Sequence, residues 1–273
     1  MKKYKIGLQL YMIKPHVVEN MEKALKEVAE MGYDCVEFAG YFDHSAEELR
    51  EMLDKYGLEC ASTHQHIHVF EEDGQSAIDF QKKLGVKYSV IPGCGPENYE
   101  TQEAWKATRE KFLNTSKMLK ENGIDLYYHN HTYEFEPIAD GDKLHYYRIF
   151  DEIGLENIKP QIDTCWAYYA GMDICELIKK YDGNVKVLHL KDFACGNIPA
   201  GYDYAEGTHL SKTRSENDFD QKPVGMGVIK LKEIIETAKE CGTEYFIVEM
   251  DYSDEMPRME AARRSLENIK KLL

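Results

Sequence analysis

The stretch CGTEYFIVE, residues 241–249, has a pattern that occurs five times along the chain. An amphipathic segment ends in glycine, two residues follow, the second of them charged, and a short strand-like run then begins. The other copies are MGYDCVEF (31–38), YGLECAST (56–63), LGVKYSVI (84–91) and NGIDLYYH (122–129). Glycine adopts the left-handed backbone conformation that ends many helices, so each copy predicts a helix followed by a strand.

The segments before these glycines have the spacing of amphipathic helices. Trp105, Phe112 and Leu119 recur at intervals that place them on one helical face. Ser45 and Glu48 have the spacing of a capping box, which satisfies free backbone N–H groups at the start of a helix. The chain therefore predicts regular alternation of helices and strands.

Three further stretches lack the glycine but predict strands: KIGLQLY (5–11), IKPQIDT (158–164) and VKVLHLKD (185–192). Eight strands that alternate with helices predict a parallel sheet with right-handed crossovers. Eight such units in 273 residues match a (β/α)8 barrel. We therefore expect a single α/β domain, a TIM barrel, over residues 1–273. An open doubly wound sheet is the alternative, but no GxGxxG follows the first strand and no P-loop is present.

The longest irregular stretch, residues 194–227, follows the seventh predicted strand. Loops of this length in a compact domain are usually lids or binding segments. We therefore expect this loop to cover the functional site, with a surface excursion of no function as the alternative.

Charge and composition restrict the partners. Asp and Glu outnumber Lys and Arg 49 to 34, and the net charge of −15 would repel a nucleic acid backbone. No apolar run approaches the roughly 18 residues of a membrane span, and the N-terminus lacks the cleavage site of a signal peptide. The seven cysteines are scattered and fit reduced thiols. We expect a cytoplasmic protein without nucleic acid or membrane partners.

Barrel enzymes carry their chemistry at the C-terminal ends of the strands. Ligand-type side chains follow several predicted strands, above all in YYHNHTYEF (127–135). A carboxylate from this stretch, together with Asp163, His189 and Glu249, would surround one divalent ion with oxygens and an imidazole. Such a set suits Mn²⁺, Mg²⁺, Co²⁺ or Zn²⁺. The alternatives are that Asp163 only caps a helix and that His189 is a hydrogen-bonded core residue.

The motifs YHNHTYEF, QIDTCWAYYAG, LHLKD, PVGMG and FIVEMD resemble those of the sugar phosphate isomerase/epimerase family within the xylose-isomerase-like TIM barrels. Ketose 3-epimerases, inosose dehydratases and lyase subunits that act on 3-keto-glycosides are among the relatives. The resemblance implies one metal ion held by Glu, Asp, His and Glu on the last four strands, and Asp163, His189 and Glu249 match this set. It also implies a small sugar or cyclitol substrate, and it leaves open a homo-oligomer or a hetero-complex.

The ligand from the fifth strand depends on which residues face inward. Counted from the preceding glycine, Glu37 and His64 have odd positions and should face the barrel interior. Glu134 keeps this parity, whereas His129 and His131 do not. We therefore expect Glu134 as the ligand, with a neighbouring histidine as the alternative.

The resemblance implies a metal-dependent isomerase or epimerase that acts on a keto-sugar or polyol through an enediolate. Ketose epimerases use two metal-bound glutamates as acid and base, so Glu134 and Glu249 are expected in these roles. Lys191 and His66 suit the proton donor of a dehydratase or lyase on an inosose or 3-keto-glycoside, which is the alternative. A non-catalytic sugar-binding subunit of a hetero-complex is a third reading.

Five further residues are expected to contact substrate: Glu37, His64, His129, His131 and Trp166. For Trp166 the alternative is simple packing, and for Lys191 it is a solvated surface charge. PVGMG (223–227) is too short a glycine motif to predict a phosphate site. We therefore expect a neutral substrate.

Overall fold

The computed structural model describes residues 4–137, 144–195, 219–252 and 256–273. The strands are β1 (Lys5–Gln9), β2 (Cys35–Ala39), β3 (Glu59–His64), β4 (Tyr88–Ile91), β5 (Asp125–His129), β6 (Lys159–Gln161), β7 (Val187–Leu190), β8 (Asp192–Cys195), β9 (Phe219–Lys222) and β10 (Tyr245–Val248). The α-helices are α1 (Lys14–Glu19), α2 (Met21–Met31), α3 (Ala46–Tyr56), α4 (Ile67–Leu84), α5 (Gln102–Lys120), α6 (His145–Ile153), α7 (Thr164–Tyr169), α8 (Ile174–Lys180), α9 (Leu231–Glu240) and α10 (Arg258–Leu272).

Eight parallel strands form one sheet in the order β6-β5-β4-β3-β2-β1-β10-β7. Its two end strands approach each other, and a parallel bridge between Asp163 and His189 joins them just beyond β6. The sheet is thus a nearly closed barrel with helices between its strands, which confirms the predicted fold and all eight predicted strands. No described helix has the length and apolar character needed to cross a membrane.

The ends of the 194–227 stretch are more regular than expected from the sequence. β8 and β9 pair as an antiparallel hairpin, with Asp192 opposite Lys222 and Cys195 opposite Phe219. Strand β8 follows β7 after the single residue Lys191. Residues 196–218, on which the expectation of a lid depends, lie outside the described residues.

The predicted helix ends are present at several of the repeated units. The side chains of Ser45 and Glu48 form the capping box at the start of α3. Gly32 and Gly57 end α2 and α3 with φ of 95° and 68°, a conformation that costs other residues a steric clash with their own Cβ. Trp105 on α5 is buried, and an aromatic side chain of this kind stabilises the fold by roughly 1.5–3 kcal/mol through burial.

The barrel interior has an apolar layer below a polar layer. The apolar layer is a cluster of eight buried residues: Cys35, Ala61, Tyr88, Val90, Tyr127, Val187, Tyr245 and Ile247. Successive inward residues on a strand are two positions apart, so the next inward residue on four of these strands is polar. The resulting pairs are Cys35 with Glu37, Tyr127 with His129, Val187 with His189, and Ile247 with Glu249. The polar layer at the C-terminal end is the candidate site.

Candidate functional site

Four buried side chains from four strand ends converge in the polar layer. His129, Asp163, His189 and Glu249 each offer a ligand atom, and these atoms all lie within 4.8 Å of one another. A second group, His64 with His129 and His189, overlaps it. The convergence follows from the fold, because the strands bring their C-terminal ends to one mouth of the barrel.

His189 lies between two carboxylates. Its Nε2 is 2.6 Å from Oε1 of Glu37, and its Nδ1 is 2.9 Å from Oε2 of Glu249. Burial alone would lower the pKa of His189, but the negative charge of Glu37 and the hydrogen bond and charge of Glu249 raise it to about 10. The two carboxylates therefore favour the protonated form of His189, which would give up one of these N–H protons to bind a metal ion.

Glu37 is the centre of a buried hydrogen-bond network. Its carboxylate accepts hydrogen bonds from Gln9 Nε2 at 2.6 Å, from Gln161 Nε2 at 2.6 Å and from the hydroxyl of Ser62. Nε2 of His64 is 3.0 Å from Oε1 of the same carboxylate. Burial alone would raise the pKa of Glu37, but the charges and hydrogen bonds of His64 and His189 hold it well below its ordinary value.

Asp163 presents one satisfied and one unsatisfied oxygen. Oδ1 accepts a hydrogen bond from the backbone N–H of Trp166 at 3.0 Å and so caps α7. Oδ2 is buried and has no hydrogen-bond partner among the described residues. It lies 3.7 Å from Nε2 of His129 and 3.4 Å from Nζ of Lys191, the latter an ion pair without hydrogen-bond geometry. Burial raises the pKa of Asp163 to about 6, against the opposing charge of Lys191.

These residues fit a divalent cation. A buried carboxylate oxygen without a partner is costly, and a bound cation would satisfy it. Burial holds the pKa of His129 well below its ordinary value, so its imidazole is neutral, as a metal ligand must be. The donor set of two imidazoles and two carboxylates suits Zn²⁺, Co²⁺ or Mn²⁺ better than an all-oxygen site would.

Lys191 is buried at the edge of the same group. Its ammonium lies 3.1 Å from Oε2 of Glu249 and 3.0 Å from Oδ2 of Asp251. Burial alone would lower the pKa of Lys191, but the negative charges of Asp163, Glu249 and Asp251 keep it well above its ordinary value. Only 1% of its surface is exposed, which excludes the alternative of a solvated surface charge.

A cavity of about 430 Å³ opens above the cluster. The expected site residues that line it are His64, His66, His129, His131, Lys191 and Glu249. A larger groove of about 680 Å³ lies between α9 and α10, with Lys230, Glu236 and Lys271 in its lining. We assign the site to the smaller cavity, because the larger one contains none of the clustered acids and imidazoles.

Three of the expected site residues, His66, His131 and Trp166, lie outside the group of four possible metal ligands. His66 is exposed at the start of α4, and its ring stacks on that of His68 with centroids 5.6 Å apart. His131 lines the cavity, and burial lowers its pKa to about 4. Trp166 stacks on Phe219 with centroids 5.4 Å apart, and the Lys191 ammonium lies 5.2 Å from the centroid of its ring. Trp166 thus packs beside the cluster and is not among the residues that line the cavity.

The structure does not bring Glu134 into the cluster. Its Oε1 accepts a hydrogen bond from Tyr128 at 2.7 Å, and its Oε2 accepts one from the backbone N–H of His131 at 2.8 Å. The chain leaves β5 and turns into a 3-10 helix, Tyr133–Phe135, so the strand parity does not extend to Glu134. His129 takes the expected place of Glu134 among the four clustered residues, and Glu134 instead fixes the loop after β5.

The inward position of His129 contradicts the expected parity, and the cause is a difference in connection length. Asp125 pairs with Tyr88 in the sheet, but it is the second residue after Gly123, whereas Tyr88 is the third after Gly85. On β5 the inward residues therefore have even positions when counted from the preceding glycine, whereas on β4 they have odd positions. His129, at position six, faces inward.

Strand β3 has the same short connection but avoids the shift. Glu59, the second residue after Gly57, pairs with Cys35. A register irregularity follows, so that Glu37 pairs with Ser62 and the parity is restored. The expected inward position of His64 is therefore correct.

Sequence reasoning missed Gln161. Its amide contacts Glu37, His64 and His129 at distances of 2.6, 2.8 and 3.0 Å. Glutamine is a rare ligand for transition metals, so it did not stand out by residue type. Its position two residues before Asp163 on the same strand face was the available signal.

The glycine motif PVGMG is filled by the chain itself. The carboxylate of Asp192 accepts hydrogen bonds from the backbone N–H groups of Gly225, Gly227 and Ile229 at 3.0, 2.9 and 3.2 Å. The nest of N–H groups that could have held a phosphate is thus occupied by a carboxylate.

Comparisons with known proteins agree with this architecture. A family model described as xylose isomerase-like TIM barrel matches residues 25–272. The inosose dehydratase of Geobacillus kaustophilus (strain HTA426) is 25% identical over 195 residues, which cover 63% of this chain and 61% of that protein. The inosose dehydratase of Clostridium perfringens (strain 13 / Type A) is 27% identical over 199 residues, with 63% of each chain covered. The chain thus spans about three fifths of the length of the curated relatives it matches.

Solved structures show the same fold at lower identity. A sugar phosphate isomerase/epimerase from Parabacteroides distasonis ATCC 8503 superposes with a TM-score of 0.76 and 21% identity, covering 99% of this chain and 94% of that one. A D-allulose 3-epimerase from Methylomonas sp. superposes with a TM-score of 0.72 and 15% identity, covering 100% of this chain and 99% of that one. At these identities the likeness supports the fold alone.

Proposed function

Because the chain belongs to the xylose isomerase-like TIM barrel family, we propose that it is a divalent-metal-dependent enzyme that dehydrates a keto-cyclitol such as an inosose. The observation that carries the proposal is the contact between Lys191 and Glu249, a buried acid and base 3.1 Å apart. Glu249 is also one of the four possible metal ligands, His129, Asp163, His189 and Glu249, which we call the metal-type cluster. The inosose dehydratases among the matched proteins support the same reaction class.

His129, Asp163, His189 and Glu249 would hold the ion. When bound, a divalent ion there supplies Lewis-acid polarisation of a substrate carbonyl and a neighbouring hydroxyl. The cavity above has room for one sugar or cyclitol ring, and His64 and His131 line it with groups that can hydrogen-bond hydroxyls.

The reaction needs a base and an acid on one substrate. Burial alone would raise the pKa of Glu249, but the charge of Lys191 and the hydrogen bond of His189 hold it well below its ordinary value, so the group is ionised. Glu249 removes the proton from the carbon beside the carbonyl, and that C–H electron pair becomes the new double bond by way of the enediolate. The hydroxyl on the next carbon leaves as water with a proton from the Lys191 ammonium.

Epimerisation is the second candidate. Removal of the same proton by Glu249, followed by its return to the opposite face, would invert the carbon. The second proton would come from a group other than His131, because a pKa of about 4 leaves that ring neutral. The two-glutamate arrangement of ketose epimerases is disfavoured, because both oxygens of Glu134 are engaged by Tyr128 and His131.

The test is a substrate screen with the purified chain, loaded in turn with Mn²⁺, Co²⁺ and Zn²⁺. Inososes, ketohexoses and 3-keto-glycosides are incubated, and products are identified by mass and NMR. Dehydration lowers the substrate mass by one water, whereas epimerisation leaves the mass unchanged and inverts one centre. Epimers without loss of water would replace the first candidate by the second. A chain that binds these sugars with any metal but converts none would be a binding subunit.

A further inference from the structure

We propose that Gln161 is a positioning residue that fixes which nitrogen of His129 carries the proton. With the proton on Nδ1, Nε2 presents a bare lone pair to the metal group. The metal part of this inference rests on the proposed function, whereas the proton position can be tested in the metal-free protein.

The orientation of the Gln161 amide follows from its partner Glu37. An ionised carboxylate can only accept hydrogen bonds, and one oxygen of Glu37 lies 2.6 Å from the Gln161 amide. The NH2 group must therefore face Glu37, since the reverse orientation would place two acceptors against each other. The amide oxygen then faces His64 and His129, at 2.8 Å and 3.0 Å.

This oxygen determines the tautomer of His129. An amide oxygen only accepts, so the nitrogen 3.0 Å away, Nδ1, must donate. A neutral imidazole has one N–H, which leaves Nε2 without a proton. The two lone pairs of an amide oxygen can serve both His64 and His129, so neither contact excludes the other.

The bare nitrogen faces an oxygen that the Lys191 ammonium, 3.4 Å away, approaches as an ion pair but not in hydrogen-bond geometry. Nε2 of His129 is 3.7 Å from Oδ2 of Asp163, and this oxygen is buried without a hydrogen-bond partner among the described residues. The opposite tautomer would not satisfy it, because 3.7 Å is too long for an N–H···O hydrogen bond. Two acceptor atoms 3.7 Å apart are close enough to share one cation, and Gln161 keeps the His129 nitrogen free of a proton through the other nitrogen of the ring.

Two substitutions separate this role from simple packing. Gln161→Met is similar in size but has no comparable acceptor for Nδ1. Gln161→Glu keeps an acceptor there when its carboxyl is protonated on the oxygen that faces Glu37, so that a hydrogen bond still joins the two groups. Gln81→Met is a matched control, because Gln81 is also fully buried but lies on α4 with both of its polar side-chain atoms unpartnered among the described residues. Circular dichroism and thermal unfolding establish that each variant is folded.

The first readout is the tautomer of His129 in the metal-free protein, measured by long-range ¹H–¹⁵N NMR and assigned with His129→Asn. The parent, Gln161→Glu and Gln81→Met should have the proton on Nδ1, whereas Gln161→Met should lose that preference. The second readout is Co²⁺ affinity by titration calorimetry. Gln161→Met should bind about 10- to 100-fold more weakly than Gln81→Met, the usual effect of losing a partner that orients a ligand.

Several outcomes would overturn the proposal. If the parent protein carries the His129 proton on Nε2, the proposal is wrong, whether or not any variant folds. Gln161→Met with the parental tautomer would also overturn it, even if its Co²⁺ affinity falls, because Gln161 would then act by another route. A parent that binds no Co²⁺ but has the expected tautomer would refute the metal site of the proposed function and leave the positioning role standing.

Discussion

Asp163 and His189 form the parallel bridge that joins the two ends of the barrel sheet, and both belong to the metal-type cluster. The backbone N–H of His189 donates to the carbonyl of Ile162 at 2.9 Å, immediately before Asp163. The two side chains are therefore held at a fixed separation by the closure of the barrel itself. Rigid support of this kind reduces the reorganisation needed when a ligand binds.

The first prediction concerns metal content. We expect about one divalent ion per parent chain and loss of that ion in Asp163→Asn, because asparagine lacks the charge but keeps an oxygen to cap α7. Metal at 100 times its dissociation constant should add about 2.7 kcal/mol to the free energy of unfolding of the parent, and nothing to the variant. Elemental analysis and thermal unfolding with and without metal measure both effects. Equal metal content in the two proteins would contradict the site.

The second prediction concerns Lys191. Lys191→Met should lower kcat by about 10²- to 10⁴-fold, since it removes the proposed proton donor, while metal content stays at the parental level. Lys87→Met is the control, because Lys87 is exposed and is not among the residues that line the cavity. Steady-state kinetics and elemental analysis are compared for the three proteins. If Lys191→Met has the parental kcat, Lys191 is not the proton donor and only neutralises the nearby carboxylates.

The third prediction distinguishes the two readings of the fifth-strand ligand. His129→Gln should lose metal affinity, whereas Glu134→Gln should keep it, because the Glu134 carboxylate is turned toward Tyr128 and the His131 backbone. Calorimetric titration of both variants with Co²⁺ measures the difference. The reverse result would mean that the loop after β5 rearranges to bring Glu134 to the metal.

The sequence predicted the barrel well because its signals are local. Glycine at a helix end and apolar periodicity depend on a few neighbouring residues, and they identified all eight barrel strands. Asp163, His189 and Glu249 came together as expected, since each lies at the end of its own strand. The observed convergence is a matter of position, and metal binding by these residues stays a prediction.

The inward-facing residues of the fifth strand could not be predicted in the same way. Whether His129 faces inward depends on a connection one residue shorter than at β4 and on the absence of the irregularity that corrects β3. These features arise from pairing between strands, and the hydrophobic pattern of a single strand does not predict them. Glu134 lies beyond the strand, where the chain has already turned, so strand parity no longer applies to it.

The fourth prediction concerns the pH dependence of stability. Burial raises the pKa of Glu134 from 4.5 to about 7. Between these values the folded protein holds a proton that the unfolded chain has released, so this group makes stability fall as pH rises through that window. The parent should lose about 3 kcal/mol from this source, and Glu134→Gln should not. Urea unfolding at pH 5 and pH 8 measures the difference, and parallel pH profiles for the two proteins would disprove it.

The fifth prediction is that the substrate carries no phosphate. The sequence offered PVGMG as the nearest thing to a phosphate loop, and its N–H groups already bind the Asp192 carboxylate. Glu249 and Asp251 add negative charge to the cavity, and Lys191, the cation between them, is already paired with both. Lys14 also lines the cavity, but one exposed lysine is not a phosphate-binding donor set, so a phosphate there would meet two carboxylates without sufficient compensation. We therefore expect kcat/KM for a neutral keto-sugar or inosose to exceed that for its phosphorylated counterpart by at least tenfold. A preference for the phosphorylated compound would contradict this prediction and would indicate that Lys14, or cations outside the described residues, bind the phosphate.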